Sequence, residues 1–319
     1  MPRLKPQHIP LLATAAVFAM LYLGAAVAYQ GFFTQDQFHS LLSENATLGL
    51  AAVGMTFVIL SGGIDLSVGA VLALASMVLA KLLVTGEMSI WVAAPLVLVA
   101  GSVFGGSMGA VIHIFRLPSF LVTLAGMFLA RGVALAITEE KRLVLSGIAD
   151  VDRMASWNLW GLNVPALAFL IVMAQAILVA NYSRFGRAVY ALGGNESSAT
   201  LMGLPVARTR ITIYALSGFC ASLGGIMHAI GTQAGDATVA TLMELDAIAA
   251  VVIGGTLLTG GVGHPAGTLL GVLILGIITL IPTYQGNLSS WWTKIAIGGL
   301  LLAFIVLQRV LQSSRISQD

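Results

Sequence analysis

In the segment Ser61–Gly69 an acid, Asp65, lies between glycines. The segment is part of a run that is otherwise apolar from about residue 46 to about residue 84. A carboxylate at the centre of a bilayer costs about 2.5–3.5 kcal/mol on insertion scales, so it is rare there. Gly62 and Gly63 each weaken a helix by about 1 kcal/mol relative to alanine. The segment therefore predicts a break: one helix ends near Ser61, and Asp65 caps the start of the next. Irregular backbone at membrane depth persists only where protein or a water-filled path surrounds it, which favours a pathway for a polar solute.

The rest of the chain has the composition of a membrane protein. It is 58% hydrophobic and only 9% charged, with a mean hydropathy of +0.97, whereas about 25% of the residues of a soluble domain are charged. A membrane span needs about 20 apolar residues. We predict an all-α polytopic membrane protein with about ten transmembrane helices, two of them short or broken near 61–66 and 260–265. The windows are roughly 10–29, 46–61, 66–84, 90–112, 118–137, 164–181, 211–232, 247–261, 265–283 and 291–308.

The placement of basic residues predicts that both termini are cytoplasmic. With that orientation nine basic residues fall on the inner side and five on the outer side, which is the bias that membrane insertion favours. The inner residues are Arg3, Lys5, Arg116, Arg184, Arg187, Arg208, Arg210, Arg309 and Arg315, and the outer ones are Lys81, Lys141, Arg142, Arg153 and Lys294. The net charge of +2 indicates no nucleic-acid partner.

The chain has no room for a soluble domain, so residues 1–319 form a single transmembrane domain. The longest polar segments are an outer loop at about 138–163 and a cytoplasmic segment at about 182–210, both shorter than the roughly 50 residues of a small domain. A weak parallel internal repeat is also visible. Ala51-Ala52-Val53, Gly62-Gly63 and Gly69 recur 198 residues later as Ala249-Ala250-Val251, Gly260-Gly261 and Gly267. Parallel repeats commonly build the central site of a transporter.

Polar side chains inside the spans have two interpretations. Asp65 either satisfies backbone N–H groups at the helix break or contacts a solute directly. The other residues that we assign to a translocation path are Thr56, Ser61, Thr123 and Gln233, and each could instead bond to neighbouring backbone. Arg131, near the end of its span, is interpreted as snorkelling or as a structural partner.

The cytoplasmic segment contains a short helix with its own capping signals. Asn195 is a suitable N-cap residue, and Glu196 follows in the first turn, where the helix dipole favours an acid. Gly203 and then Pro205 stop the helix. Taken alone, this helix is either a docking element or an interfacial helix that lies on lipid.

Several chemistries are excluded by the residues themselves. No Gly-Lys dipeptide occurs, so the chain has no P-loop for nucleotide phosphates. The five histidines lack metal-ligand spacing with one another, and no nucleophile stands beside a base. Cys220 is the only cysteine, which rules out an intrachain disulfide. We therefore expect a non-catalytic chain that binds no metal and no cofactor.

Several motifs in combination resemble the permease subunits of bacterial monosaccharide ABC importers of the ribose type. They are Val53–Thr56 leading into Ser61–Gly69, Leu121–Met127, Tyr190–Asn195 and Gly254–Gly263, and the likeness covers nearly the whole chain. The closing stretch Leu288–Gly298 is most similar to one of the two permeases of the galactofuranose importer.

The resemblance implies an inner-membrane subunit that moves a monosaccharide by alternating access. A cytoplasmic ABC ATPase would hydrolyse ATP, a periplasmic sugar-binding protein would deliver the sugar, and a second permease subunit, either a related chain or a second copy, would complete the path in the bilayer. The residues that would couple to the ATPase are Asn195, Glu196, Ser198, Leu201 and Met202. Two alternatives are an ion-coupled secondary transporter, with Asp65 as its proton or sodium site, and a membrane scaffold or intramembrane enzyme.

Overall fold

A computed structural model describes residues 9–138, 141–285 and 290–316. Arg3, Lys5 and the first two residues of the closing motif, Leu288 and Ser289, lie outside these ranges. Within them the helices are α1 (Ile9–Ala28), α2 (Gln35–Glu44), α3 (Ala46–Leu60), α4 (Val68–Val84), α5 (Ile90–Phe115), α6 (Ser119–Thr138), α7 (Ala149–Ser156), α8 (Val164–Tyr182), α9 (Arg184–Gly194), α10 (Glu196–Leu201), α11 (Val206–Thr232), α12 (Met243–Ile253), α13 (Pro265–Gln285) and α14 (Ser290–Ile316). The strands are β1 (Leu143–Val144), β2 (Asn158–Leu159), β3 (Leu162–Asn163) and β4 (Ala234–Gly235).

The predicted all-α polytopic fold is confirmed, but the count of ten spans is not. Among the described residues six helices are long and apolar enough to cross a membrane, namely α1, α5, α6, α8, α11 and α13. A seventh results if α2 and α3, which meet at an angle of 55°, are taken as one bent span. The spans predicted at 66–84 and 247–261 are the 17-residue α4 and the 11-residue α12. Both adjoin a glycine-rich break, which shortens the regular helix.

Helix α3 runs through the middle of the bundle. All of its residues except Thr47 and Leu48 are buried. Helices α8, α11, α12 and α13 surround it. A helix that is apolar on every face, as α3 is, is expected at such a position.

Glycines allow the closest helix contacts. Gly101, Gly105 and Gly109 on α5 face α11, where a Cβ on Gly105 would overlap the carbonyl group of Tyr214. Gly267 on α13 likewise faces the carbonyl oxygen of Gly254 at the end of α12. Such ridges of small residues let the helix backbones approach each other directly.

The predicted repeat corresponds to two similar successions of elements. α3, a break and α4 form the first copy, and α12, a break and α13 form the second. The second break is longer because α12 ends at Ile253, five residues before the position that matches the end of α3.

The predicted outer loop contains structure of its own. The described part of it holds α7 and the antiparallel β2–β3 hairpin, and β1 pairs with β4. Trp157 and Trp160 are 47% and 84% exposed, as expected of residues that meet an interface or a partner. These elements define one end of the bundle, the hairpin end. The opposite end, formed by α9, α10 and the first turns of α11, is called the α10 end.

Candidate translocation and coupling site

The first helix break, Ser61–Ser67, replaces regular helix bonds with bonds to side chains of α6. Gly62 has a φ of +81°, a conformation that glycine adopts without strain. The backbone N–H of Ile64 donates to the hydroxyl of Ser119 at 3.0 Å, and that of Leu66 donates to the hydroxyl of Thr123 at 3.1 Å. Thr123 thus holds the break in place.

Asp65 lies at the centre of this break and is only 1% exposed. Its Oδ1 accepts bonds from the backbone N–H and the hydroxyl of Ser67, at 2.9 and 2.6 Å. Its Oδ2 accepts a 2.7 Å bond from the hydroxyl of Ser217 on α11. The carboxylate therefore satisfies the N–H of Ser67, the N-cap residue of α4, and ties the break to the longest helix that packs on it.

The second break, Gly254–His264, meets the first one backbone to backbone. The N–H of Gly261 donates to the carbonyl oxygen of Leu60 at 2.9 Å. A Cβ on Gly260 would lie 2.7 Å from the nitrogen of Gly62 and 3.0 Å from the Cα of Gly193 on α9. We call Gly62, Gly193, Gly260 and Gly261 the glycine junction. It joins both breaks to α9 with no side chain between them.

Helix α9 is also bonded to the second break through side chains. The hydroxyl of Tyr190 donates to the carbonyl oxygen of Gly263 at 2.9 Å. Burial raises the pKa of Tyr190, which keeps the phenol protonated and able to donate. His264, which lies in the same break, is 3.1 Å from the amide oxygen of Asn181 at the end of α8.

The other predicted path residues lie apart from one another. Thr56 is buried on α3, where its hydroxyl bonds to the carbonyl oxygen of Ala52 at 2.7 Å and to the hydroxyl of Thr268 on α13 at 2.8 Å. Gln233 lies at the hairpin end and donates to Asp152 on α7 at 2.6 Å. It lies 16 residues along α11 from Ser217, the partner of Asp65, which is roughly 24 Å.

Helix α10 has the capping predicted from the sequence. The amide oxygen of Asn195 accepts a 2.8 Å bond from the N–H of Ser198. Glu196 in the first turn forms a 2.6 Å ion pair with Arg210 on α11. Leu201 and Met202 are 88% and 68% exposed, so the helix presents apolar side chains outward at the α10 end.

A cavity of about 970 Å³ opens beside α10. Its walls include Ser61 of the first break, Glu196 and Leu201 of α10, and Arg210 and Tyr214 of α11. Ser61 is thus the predicted path residue that shares a cavity with predicted coupling residues. Asp65, Thr56 and Thr123 are buried in the protein and do not line this cavity.

Arg131 has a structural role at the hairpin end. Its guanidinium donates to the carbonyl oxygens of Ala237 and Val239 at 2.6 and 2.9 Å. These bonds hold the connection between α11 and α12, in agreement with the interpretation as a structural partner.

Sequence reasoning missed four residues that position the site: Ser119, Tyr190, Gly193 and Ser217. Tyr190 and Gly193 belong to a motif that the resemblance singled out, although their contacts were not foreseen. Ser217 carries no local signal, because its partner Asp65 is 152 residues away. Helix α9 lies within the predicted polar segment at about 182–210, where α10 was the helix that the sequence predicted.

Comparisons with known proteins agree with this architecture. Residues 37–305 match the family model described as branched-chain amino acid transport system / permease component. The chain is 48% identical over 306 residues to the inner membrane ABC transporter permease protein YjfF of Escherichia coli (strain K12), covering 95% of this chain and 92% of that one. It is 39% identical over 302 residues to the ribose import permease protein RbsC of the same strain, covering 93% and 94%. The fructose import permease protein FruG of Bifidobacterium longum is 37% identical over 320 residues, covering 98% and 94%.

Proposed function

This chain belongs to the family of transport-system permease components, a family of multi-pass inner membrane proteins, and we propose that it is the membrane-spanning subunit of an ABC importer for a monosaccharide. The observation that carries the proposal is its alignment with ribose and fructose import permeases over more than nine-tenths of both chains. Both termini are cytoplasmic in this proposal, as the charge bias predicts.

The proposed complex divides the work among several chains. A separate cytoplasmic ATPase hydrolyses ATP, since this chain has no P-loop. A periplasmic binding protein delivers the sugar to the hairpin end, and a second permease, related or identical, completes the path. This chain itself binds no cofactor and catalyses no reaction. Because the binding protein selects the sugar, the permease needs only weak contacts with the sugar.

The α10 end is the proposed docking site for the ATPase. Leu201 and Met202 expose apolar surface there, which is typical of a surface that a partner covers. Asn195, Glu196 and Ser198 fix the helix through its cap and through the ion pair with Arg210. Motion of the ATPase would pass through α9 and the glycine junction to both helix breaks and open the path to one side at a time. The path begins in this proposal at Ser61, beside the cavity lined by α10.

Galactofuranose is the proposed sugar. The similarity of the stretch 288–298 to a galactofuranose importer permease supports this choice over ribose and fructose. Uptake of labelled galactose in its furanose form, by cells that express the complete importer, is expected to exceed uptake of ribose and fructose. Equal uptake of ribose would contradict the choice of sugar and leave the importer itself intact.

The importer is tested by purifying the tagged chain from membranes and identifying the proteins that copurify. We expect a P-loop ATPase and a second, related permease. An ATPase without a second permease would indicate a homodimer. Sugar uptake that follows an ion gradient in cells lacking any such ATPase would overturn the proposal.

The coupling role of α10 is tested with Leu201→Asp, which places a charge on the exposed apolar surface. We expect loss of ATPase copurification and of sugar-stimulated ATP hydrolysis. Leu159→Asp is the matched control, because Leu159 is an exposed leucine at the hairpin end, and it should leave ATPase binding unchanged. Normal ATPase copurification and normal ATP hydrolysis in Leu201→Asp would contradict the coupling role.

A further inference from the structure

A second cavity at the α10 end, of about 930 Å³, lies between α9 and the first turns of α11. Three arginines line it, Arg184, Arg187 and Arg208, and none of its described lining residues is an acid. Leu204 lies in the walls of both cavities. The link from α10 to α11 therefore separates this basic cavity from the one that α10 lines.

Within the ranges that the structure describes, the three guanidinium groups have no acidic partner. Among the described residues none of them forms an ion pair. Arg187 makes a 3.5 Å hydrogen bond to the carbonyl oxygen of Tyr182, which carries no charge. Arg210, two residues after Arg208 on α11, is by contrast paired with Glu196. Three like charges on the walls of one cavity make its interior electropositive and favour an anion there.

The position of the cavity along the bundle indicates the kind of anion. The membrane-spanning helix α8 ends at Tyr182, which is 77% exposed, and Arg184 follows two residues later. Arg208 lies in the first turn of α11, another membrane-spanning helix. All three arginines thus lie where spans end, which is the depth of lipid phosphates. The cavity wall beside the arginines is apolar and includes Phe185, Leu204 and Pro205.

We propose that the basic cavity binds the headgroup of an anionic phospholipid, with its phosphate held by Arg187 and Arg208 and its glycerol backbone against the apolar wall. Guanidinium groups bind phosphate oxygens in a bidentate way. Basic pockets beside membrane-spanning helices on the cytoplasmic side are suited to such headgroups. The proposal goes beyond the transport function and depends on neither the sugar nor the ATPase.

The test measures lipid binding by the full chain, purified with its partners in detergent and stripped of lipid. Native mass spectrometry would compare phosphatidylglycerol with phosphatidylcholine, and thermal unfolding would compare phosphatidylglycerol with inorganic phosphate. We expect tight binding of phosphatidylglycerol alone. Arg187→Gln with Arg208→Gln should weaken it by about thirty-fold, since each surface arginine contributes about five-fold.

Two control variants separate charge from fold. Arg187→Lys with Arg208→Lys keeps both charges and should retain most of the binding. Arg153→Gln removes an exposed arginine at the hairpin end and should change nothing. Equal binding of phosphatidylcholine, an equal effect of inorganic phosphate, or unchanged binding in the glutamine pair would overturn the proposal. Loss of the lipid whenever the ATPase is bound would instead make the cavity part of the docking surface for the ATPase, and would overturn it as well.

Discussion

The two helix breaks occupy matching places in the repeat but are held in different ways. The first is anchored by a buried acid, Asp65, which bonds to Ser67 and to Ser217 on α11. The position that matches Asp65 in the second break is Gly263, whose carbonyl oxygen accepts a bond from Tyr190 on α9. The first break is thus fixed to the core of the bundle, and the second is fixed to the segment that we propose to face the ATPase. We propose that a shift of α9 moves the second break more than the first, so that the first repeat copy acts as the frame and the second as the moving part.

The largest expected effect is on the first break. Asp65→Ala leaves the N–H of Ser67 and the hydroxyl of Ser217 buried without their acceptor, and such losses cost about 1–3 kcal/mol each. We expect a drop in the unfolding temperature in detergent and a low yield of folded protein. Asp65→Asn is the matched control, because its amide can still bond to both serines. Normal stability without sugar uptake in Asp65→Asn would show that the carboxylate charge itself is used, as in an ion-coupled transporter.

The next effect concerns the junction between α9 and both breaks. In Gly193→Ala the new Cβ would overlap the carbonyl oxygen of Leu60 and the nitrogen of Gly261. Such overpacking costs about 1–3 kcal/mol, and we expect sugar uptake to fall sharply. Gly194→Ala is the control, because nothing lies within 4 Å of a Cβ there. Equal uptake by the two variants would show that α9 is not held against the breaks.

A smaller effect is expected where Tyr190 supports the second break. Tyr190→Phe removes the hydroxyl bonded to Gly263, which is worth about 1 kcal/mol. If the second break is the moving part, the sugar-stimulated ATPase rate should change while the unfolding temperature barely shifts. Tyr182→Phe alters an exposed tyrosine and should affect neither quantity. A large fall in unfolding temperature for Tyr190→Phe would show that the second break is needed for stability as the first is, and would contradict its role as the moving part.

The smallest effect concerns a side-chain bond between the two repeat copies, the one between Thr56 and Thr268. Hydrogen bonds between membrane helices contribute about 0.6 kcal/mol on average. Thr56→Val and Thr268→Val, alone and together in a double-mutant cycle, should show a coupling of that size in thermal unfolding. A coupling near zero would mean that the two copies pack independently at this point.

The sequence predicted the parts of this architecture that have local causes. Adjacent glycines and an acid predicted the first break, and Asn195 followed by Glu196 predicted α10 with its cap. What could not be predicted depends on partners distant in the chain. Thr56 and Thr268 are 212 residues apart, and each could equally bond to its own helix, as Thr56 also does. Helices α2 and α9 were missed because short polar helices lack the long apolar window by which spans are recognised.

The glycine junction also bears on the kinetics of transport. Side chains between two moving elements can absorb part of a movement, because they can change rotamer before the backbone moves. Gly193, Gly62 and Gly260 have no side chain that could adjust in this way, so we expect a shift of α9 to reach both breaks at the same moment. Packed backbones of this kind switch between discrete arrangements. Fluorescent labels on either side of the bundle should therefore report one opening event with a single rate constant.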